Sequence, residues 1–277
     1  MKRIITVQDI SCVGKCSLTV ASPIISAMGV EACVLPTAIL STHTAFSKFT
    51  FLDLTSELEN ITNTIKELGI TFDGLYTGYL GSITQLQFVN GLIDEYKKNN
   101  AFVLIAPVMA DDGVLYKGFT MDFAKQMANL CKRADLIIPN LTEATFMLGE
   151  EYNENYDEEY VKGILLKLAD MGAKRVAISG VTFNDSQMGV YFYDGTTGEF
   201  FSYFNEKLPV KYHGTGDIFA STAFGAIMRG LSFEKALTLA VDYTLECMKC
   251  TCRDSERRFY GVNFEEALPM LVKRINE

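Results

Sequence analysis

The feature that most restricts the fold of this chain is the alternation of short apolar runs with helical patterns. The apolar runs are rich in β-branched residues and occupy 4–7, 32–40, 75–80, 102–108, 135–138 and 175–179. Between them, apolar residues recur at helical spacing. Such alternation is typical of parallel strands joined by crossover helices. The sequence therefore predicts an α/β fold, with a central, mostly parallel β-sheet flanked by helices on both faces. No Pro-, Gly- or Ser-rich linker divides the chain, so we expect residues 1–277 to form a single domain.

Polar segments follow these strands with a regularity that indicates where the chemistry lies. They occupy 8–14, 41–46, 78–82, 106–113, 139–143 and 179–182. In open α/β sheets, ligands bind in the crevice outside the carboxyl ends of the strands. We therefore expect the functional site at that edge of the sheet.

Composition excludes several classes of function. The net charge is −9 and the sequence pI is about 4.9, which does not fit a nucleic-acid-binding surface with its clustered Lys and Arg. No apolar run is long enough to span a membrane, and the apolar part of the N-terminus is too short for a signal peptide. Seven cysteines without such a signal are typical of reduced thiols. We expect a cytoplasmic protein.

The segment Gly214-Thr215-Gly216-Asp217 precedes a pattern of apolar residues at helical spacing. A glycine-rich turn at a helix start leaves backbone N–H groups free, and the helix dipole favours an anion there. Asp217 has two interpretations at this point. It is either a cap of the helix or a catalytic base beside the anion site.

Other polar residues also have two interpretations. Asn140 and Glu143 form either an ordinary turn with an acid at a helix start, or a pair that orders hydrated Mg²⁺. His43 is either a hydrogen-bonded loop residue or a ligand contact, and the capping of a turn would by itself account for Ser11. Together, a carboxylate base, free amides and an acid–amide pair indicate phosphoryl transfer to a hydroxyl group.

At these motifs the sequence resembles the ribokinase-like superfamily, and within it the pyridoxal (vitamin B6) kinases. The Gly-X-Gly-Asp signature is Gly214 to Asp217, and the Asn-X-X-Glu motif is Asn140 to Glu143. Further similarity lies in Ser11 of the first loop and in the segments 41–44, 77–82 and 107–109. The resemblance implies a kinase that uses ATP with Mg²⁺, commonly with K⁺ or another monovalent cation, and that forms a homodimer.

The resemblance also implies roles for individual residues. Asp217 would deprotonate the 5′-hydroxyl of a B6 vitamer, while the amides of Gly214, Thr215 and Gly216 hold the transferring phosphate. The residues implied to lie around the vitamer are Ser11, His43, Thr44 and Tyr79. Glu143 would act on Mg²⁺ through water. Those implied to contact ATP are Asp111, Tyr116, Asn140, Glu143 and Ser179, with Ser202, Tyr203, Phe204 and Asn205 at the adenine.

Three positions depart from the family pattern. Ala106 stands where an Asp-Pro-Val motif begins, Ala110 replaces a glycine before Asp111, and His213 precedes the glycine turn where a small residue is usual. Two alternatives stay open: a hydroxymethylpyrimidine kinase of the same fold, and a B6-binding protein without catalysis. The segment 41–44 and the lack of an Asp pair near the N-terminus disfavour a sugar or nucleoside kinase.

Overall fold

The computed structural model describes residues 1–277. The strands are β1 (Arg3–Val13), β2 (Glu31–Thr42), β3 (Phe51–Asp53), β4 (Gly74–Thr77), β5 (Phe102–Ile105), β6 (Ala110–Asp111), β7 (Val114–Leu115), β8 (Leu136–Ile137), β9 (Arg175–Asn184), β10 (Gln187–Asp194) and β11 (Glu199–Glu206). The helices are α1 (Leu18–Ala27), α2 (Leu58–Glu67), α3 (Ile83–Lys97), α4 (Met121–Cys131), α5 (Leu141–Leu148), α6 (Glu158–Asp170), α7 (Thr215–Met228), α8 (Phe233–Arg253) and α9 (Phe264–Arg274). None of the helices combines the length and the apolar character that a membrane span requires.

Nine strands form one sheet in the order β11-β10-β9-β8-β5-β4-β1-β2-β3. The six strands from β9 to β2 in this order pair in parallel, whereas β10, β11 and β3 pair antiparallel at the two edges. The predicted α/β fold with a mostly parallel sheet is confirmed. Strands β6 and β7 form a separate two-stranded hairpin.

Helices cover both faces of the sheet because successive strand residues point to opposite sides. In β1, Ile5 and Val7 join the large core cluster formed with α2 to α6. Ile4 points to the other face and packs in a cluster with α1, α7 and α8. The parallel strands are therefore buried on both faces, as their continuous apolar runs predict.

Three local features differ from the sequence expectation. Strand β1 continues to Val13 through a bulge between Gln8 and Ile10, so Ser11 lies in a strand and not in a loop. The 139–143 segment opens a short helix, α5, that the apolar periodicity does not reveal. The 106–113 segment leads into the β6–β7 hairpin. In each case tertiary contacts extend or create an element that is too short to leave a pattern of its own.

Candidate active site

The N-terminus of α7 carries free backbone amides. Five other helices, α3, α4, α5, α6 and α8, begin with a side chain that accepts a hydrogen bond from their first turn. Helix α7 begins instead at Gly214, in the left-handed region with φ +82°, and no side chain caps it. The N–H groups of Thr215, Gly216 and Asp217 donate to no protein group. A Cβ atom on Gly216 would meet nothing within 4 Å. The turn therefore presents bare amides to an anion.

Asp217 lies in the first turn of α7 but does not cap it. Its Oδ2 accepts a hydrogen bond of 2.9 Å from the backbone N–H of Ser17, which precedes α1. Burial raises the pKa of Asp217 to about 6, and the negative charge of Asp9 adds to this, while the Ser17 amide opposes it. A carboxylate with a pKa near 6 is mostly ionised at neutral pH and is a stronger base than an exposed aspartate. Asp217 is thus not the cap of α7, and its role as the base stays a prediction.

Ser17 links Asp217 to a second carboxyl group, that of Asp9, and sequence reasoning assigned no site role to either Ser17 or Asp9. Ser17 has φ +50°, which is strained for a residue with a side chain. Its amide donates to Asp217, and its hydroxyl lowers the pKa of Asp9, which burial raises. Asp9 is only 5% exposed, and the Ser11 hydroxyl donates to it at 3.4 Å. The one sequence feature that could have identified Asp9 as a site residue is its position just after the apolar run 4–7, where a buried strand was predicted.

The four residues predicted around the vitamer differ in their exposure. Ser11 is fully buried, Tyr79 is partly buried and Thr44 is exposed. Burial raises the pKa of Tyr79, and the charge of Asp9 contributes, so the two side chains share one region. The Tyr79 ring lies 5.5 Å from that of Phe119. Asp9 and Ser11, in the second half of β1, and Tyr79, after β4, therefore belong to one region.

Both ring nitrogens of His43 are engaged by the protein. Nδ1 accepts from the Ala45 N–H at 3.1 Å, so Nε2 carries the proton and donates to the Tyr260 carbonyl at 3.0 Å. Burial lowers the pKa of His43, and the nearby His213, whose ring centroid is 5.4 Å away, lowers it further. His43 thus connects the loop after β2 to the segment after α8. His213 lies at this junction, beside the start of α7.

Asn140 and Glu143 form a capping box at the start of α5. The Asn140 side chain accepts from the Glu143 N–H at 2.8 Å, and Glu143 accepts from the Asn140 N–H at 2.9 Å. The same pair holds the segment that leads into β6. Glu143 accepts from the Met109 N–H at 3.1 Å, and Asn140 donates to the Ala110 carbonyl at 2.8 Å. The pair is therefore structural, and it also fixes the hairpin that carries Asp111.

The predicted ATP residues Asp111, Tyr116 and Ser179 lie around this pair. Burial raises the pKa of Glu143 to about 8, and the charge of Asp111 adds to the rise. Burial raises the pKa of Tyr116, and the charges of Glu143, Asp111 and Asp217 raise it further. The charges of three carboxylates, on α5, the hairpin and α7, thus act on the Tyr116 phenol. Ser179 lies within β9, beside Asn140 and just beyond the end of β8.

Asp111 and Glu143 are the carboxyl groups nearest to hand for a Mg²⁺ ion in this part of the molecule. No three His, Cys, Asp or Glu side chains converge into a ready-made metal site. Asp111 and Glu143 lie close enough for one charge to raise the pKa of the other carboxyl group. Mg²⁺ is usually held by one or two carboxylates together with water and substrate phosphates. Both Glu143 oxygens already accept backbone N–H groups, so exposed Asp111 is the acid that fits a metal arriving with a nucleotide.

The segment predicted at the adenine lies apart from these groups, on the edge strand β11. The Tyr203 hydroxyl and the Asn205 amide both donate to Asp242 of α8, at 2.8 and 2.9 Å. Phe204 points to the opposite face of the sheet, with its ring 5.5 Å from that of Phe183. Ser202 is exposed.

Comparison with known proteins gives three kinds of match. The family model of phosphomethylpyrimidine kinase matches residues 24–259. The hydroxymethylpyrimidine/phosphomethylpyrimidine kinase of Aquifex aeolicus is 30% identical over 156 residues, which cover 55% of this chain and 58% of that enzyme. A pyridoxal kinase of Actinobacillus pleuropneumoniae is 28% identical over 273 residues, 91% of this chain and 90% of the relative.

Among solved structures, a Bacteroides thetaiotaomicron protein assigned as a phosphomethylpyrimidine kinase superposes with a TM-score of 0.93. It is 38% identical, the match covers 98% of this chain and 95% of that one, and its crystals contained pyridoxal. These matches identify the nine-stranded sheet as the ribokinase-like fold that the motifs predicted.

Proposed function

The chain belongs to the phosphomethylpyrimidine kinase family, and from this membership we propose that it phosphorylates the 5′-hydroxyl of a vitamin B6 vitamer with ATP. The vitamer is pyridoxal, pyridoxamine or pyridoxine. The reaction would serve the salvage of pyridoxal 5′-phosphate. The observation that carries the proposal is the pairing of Asp217, whose pKa is near 6, with the uncapped amides of α7. The pyridoxal in the crystals of the Bacteroides relative supports the choice of substrate class.

The start of α7 would perform both halves of the transfer. Asp217 takes the proton from the 5′-hydroxyl as the oxygen attacks the γ-phosphorus, and the bond to the β-phosphate oxygen breaks. The amides of Thr215 and Gly216, with the turn at Gly214, hold the oxygens of the transferring group. Because these donors are fixed before the reaction, they need no reorganisation when charge moves.

Asp111, Tyr116, Asn140 and Glu143 would orient the triphosphate. Mg²⁺, bound with ATP, would neutralise phosphate charge, and Glu143 would hold it through water while Asp111 lies beside it. We propose that K⁺ or another monovalent cation is used together with Mg²⁺ and ATP. Ser179, within β9 and beside Asn140, would contact the nucleotide, and residues 202–205 would border the adenine from the sheet edge.

The vitamer ring would lie at the carboxyl end of β1. Ser11, Thr44 and Tyr79 are the proposed contacts, with His43 supporting the loop that bears Thr44. Asp9 adds a carboxyl group whose charge raises the pKa of both Tyr79 and Asp217. A hydrogen-bonding acid there suits the polar substituents of a small heteroaromatic ring.

A panel of substrates tests the proposal. ATP consumption is measured with pyridoxal, pyridoxamine, pyridoxine and hydroxymethylpyrimidine, each with and without Mg²⁺. We expect the highest kcat/KM with one of the three B6 vitamers. A clear preference for hydroxymethylpyrimidine would contradict the proposal and support the second candidate, a hydroxymethylpyrimidine kinase, which the name of the matching family favours.

A B6-binding protein without catalysis is the third outcome of this panel. Ala106, which stands in place of a family carboxylate, is buried, so no side chain there reaches a metal. Vitamer binding without ATP consumption, measured by calorimetry alongside the panel, would support that alternative and overturn the proposed kinase.

The rate should depend on pH through Asp217. The base works as an anion, so kcat/KM should be level above about pH 6 and fall about tenfold per unit below it. The pH profile of kcat/KM for one vitamer measures this limb. The residual activity of an Asp217→Asn variant serves as the control, because its kcat/KM should not show this fall at low pH. A wild-type profile that is flat between pH 5 and 7 would count against this role.

We also propose that the protein is a homodimer that pairs through the edge of the sheet at β2 and β3. Apolar side chains are exposed there, among them Val34, Ile39, Phe51 and Leu52. Exposed apolar side chains concentrated on an edge of a sheet are typical of a protein interface. A second copy of this chain is the partner that the proposal names.

Light scattering during size-exclusion chromatography should give twice the chain mass of 30.8 kDa. The double variant Phe51→Asp/Leu52→Asp should elute as a monomer, because two charges would be buried in the interface. Leu68→Asp is the matched control: Leu68 is 69% exposed but lies at the end of α2. A wild-type mass of 30.8 kDa would exclude the dimer.

A further inference from the structure

One stripe of α7 connects Asp217 to the interior of the sheet. Asp217, Ser221, Phe224 and Met228 recur at helical spacing and face the same side. The Phe224 ring lies 5.6 Å from that of Tyr76 on β4. At the start of β4, a Cβ atom on Gly74 would lie 2.8 Å from Phe224 and 3.0 Å from Met228. Helix α7 therefore runs along β4 with its N-terminus over the strand's carboxyl end. This places Ser221 and Asp217 above Tyr76.

Three polar atoms beneath this stripe have no hydrogen-bond partner in the protein. They are the Tyr76 hydroxyl, the Ser221 hydroxyl and Oε1 of Gln8 on β1. All three residues are fully buried. The amide nitrogen of Gln8 donates to Thr6 at 2.7 Å, so only its oxygen is free. Unpaired polar atoms are unfavourable in a protein interior, and three in one place indicate a common partner.

The three groups lie close together and close to Asp217. Burial raises the pKa of Tyr76, and the charge of Asp217 is the next largest cause. The Ser221 hydroxyl and the Gln8 side chain act on the same phenol in the opposite direction. Oε1 of Gln8 lies 2.4 Å from where a Cβ atom on Gly78 would be, so a side chain at that position would displace Gln8. The Tyr76 phenol is thus the group on which Asp217, Ser221 and Gln8 all act.

We propose that Tyr76 is a positioning residue for Asp217 and acts, with Ser221 and Gln8, through one water molecule bound between them. A buried water typically makes about three hydrogen bonds to polar groups that are otherwise unsatisfied. Here the water accepts from the Tyr76 and Ser221 hydroxyls and donates to Gln8 Oε1 and to the Asp217 carboxylate. The network therefore holds the carboxylate in one orientation and favours its anionic form.

The other groups around Asp217 cannot supply the same support. Asp9 on β1 carries a like charge, the Cys16 thiol is neutral because burial raises its pKa, and the Ser17 amide serves one oxygen only. Tyr116, after β7, approaches from the side of the ATP residues. No lysine or arginine forms a salt bridge with Asp217. The buried hydroxyls of Tyr76 and Ser221 are therefore the groups left to orient a water toward the Asp217 carboxylate.

Tyr76→Phe tests this proposal, because it removes one hydroxyl and keeps the ring packed on Phe224. The readout is the titration of the Asp217 carboxyl group, followed by ¹³C NMR with Asp217→Asn as the assignment standard. We expect the midpoint to rise by about one unit, since a lost hydrogen bond to the anion disfavours it. Ser221→Ala should raise it in the same direction. Tyr243→Phe is the matched control: Tyr243 is also fully buried, but its hydroxyl donates to the Phe264 carbonyl.

An unchanged Asp217 midpoint in both Tyr76→Phe and Ser221→Ala would overturn the proposal, as would a high-resolution crystal structure without water at this place. Equal shifts in Tyr243→Phe and Tyr76→Phe would also overturn it, because the effect would then be general. The meaning of the shift for catalysis rests on the proposed function, but the titration needs no substrate. Failure of the kinase assay and failure of this network are therefore separate results.

Discussion

Replacing Asp217 with asparagine should lower kcat by about 10²–10⁴-fold, the usual contribution of a general base. Asparagine has nearly the same shape and its oxygen can still accept from the Ser17 N–H, which is 2.9 Å from Oδ2 of the aspartate. The fold and the KM for the vitamer should therefore change little. Steady-state kinetics with saturating ATP and Mg²⁺ measure the effect, with circular dichroism to check the fold.

Asp94→Asn provides the control for the loss of one carboxylate, because Asp94 is exposed on α3 and pairs with Arg133 far from α7. That variant should keep the wild-type kcat. If Asp217→Asn also kept it, the proton of the 5′-hydroxyl would have to leave by another path, and the role given to α7 would be wrong.

Gly214→Ala should have the second large effect. Gly214 adopts φ +82°, and a Cβ atom there would lie 2.0 Å from the backbone carbonyl oxygen of Lys15. The clash is with backbone, so the turn or the loop after β1 must move. Strain of this kind costs about 1–3 kcal/mol, and a displacement of about 1 Å at a reacting group can cost ~10²-fold in rate. We expect both a lower midpoint of denaturant unfolding and a kcat reduced by about 10²-fold.

Gly198→Ala separates strain from displacement. Gly198 has a similar φ of +79° in the turn between β10 and β11, and a Cβ atom there would meet nothing within 4 Å. It should lose stability through the same backbone preference but keep its kcat. Equal kcat losses in the two variants would mean that the position of the α7 amides does not matter for the reaction.

The sequence predicted the architecture well because the fold depends on a long-range pattern. Six buried strands separated by helices leave continuous apolar runs, and one sheet with two covered faces follows from them. Elements without a pattern of their own were not predictable. Helix α5 has eight residues and precedes an acidic run, and the β6–β7 hairpin pairs only two residues per strand.

The site, too, has features that could be predicted from the sequence and features that could not. The glycine turn and the polar strand ends were readable, because bare backbone and position in an α/β sheet have general consequences. Asn140 and Glu143 were readable in two ways, since Asn-X-X-Glu is also the pattern of a capping box. Ser17 occupies the N-cap position of α1 yet makes no side-chain capping bond. Its partner is Asp217, 200 residues away, and no local pattern encodes that contact.

The central claim is that this chain transfers a phosphoryl group from ATP to the 5′-hydroxyl of a B6 vitamer with Asp217 as the base. Its most direct test is ³¹P NMR of a reaction that contains the protein, ATP, Mg²⁺ and pyridoxal. The account predicts ADP and one new phosphate monoester on the 5′-oxygen of pyridoxal in equal amounts, with neither formed at a comparable rate by Asp217→Asn. Inorganic phosphate without an ester, or ATP left intact while pyridoxal is bound, would contradict it.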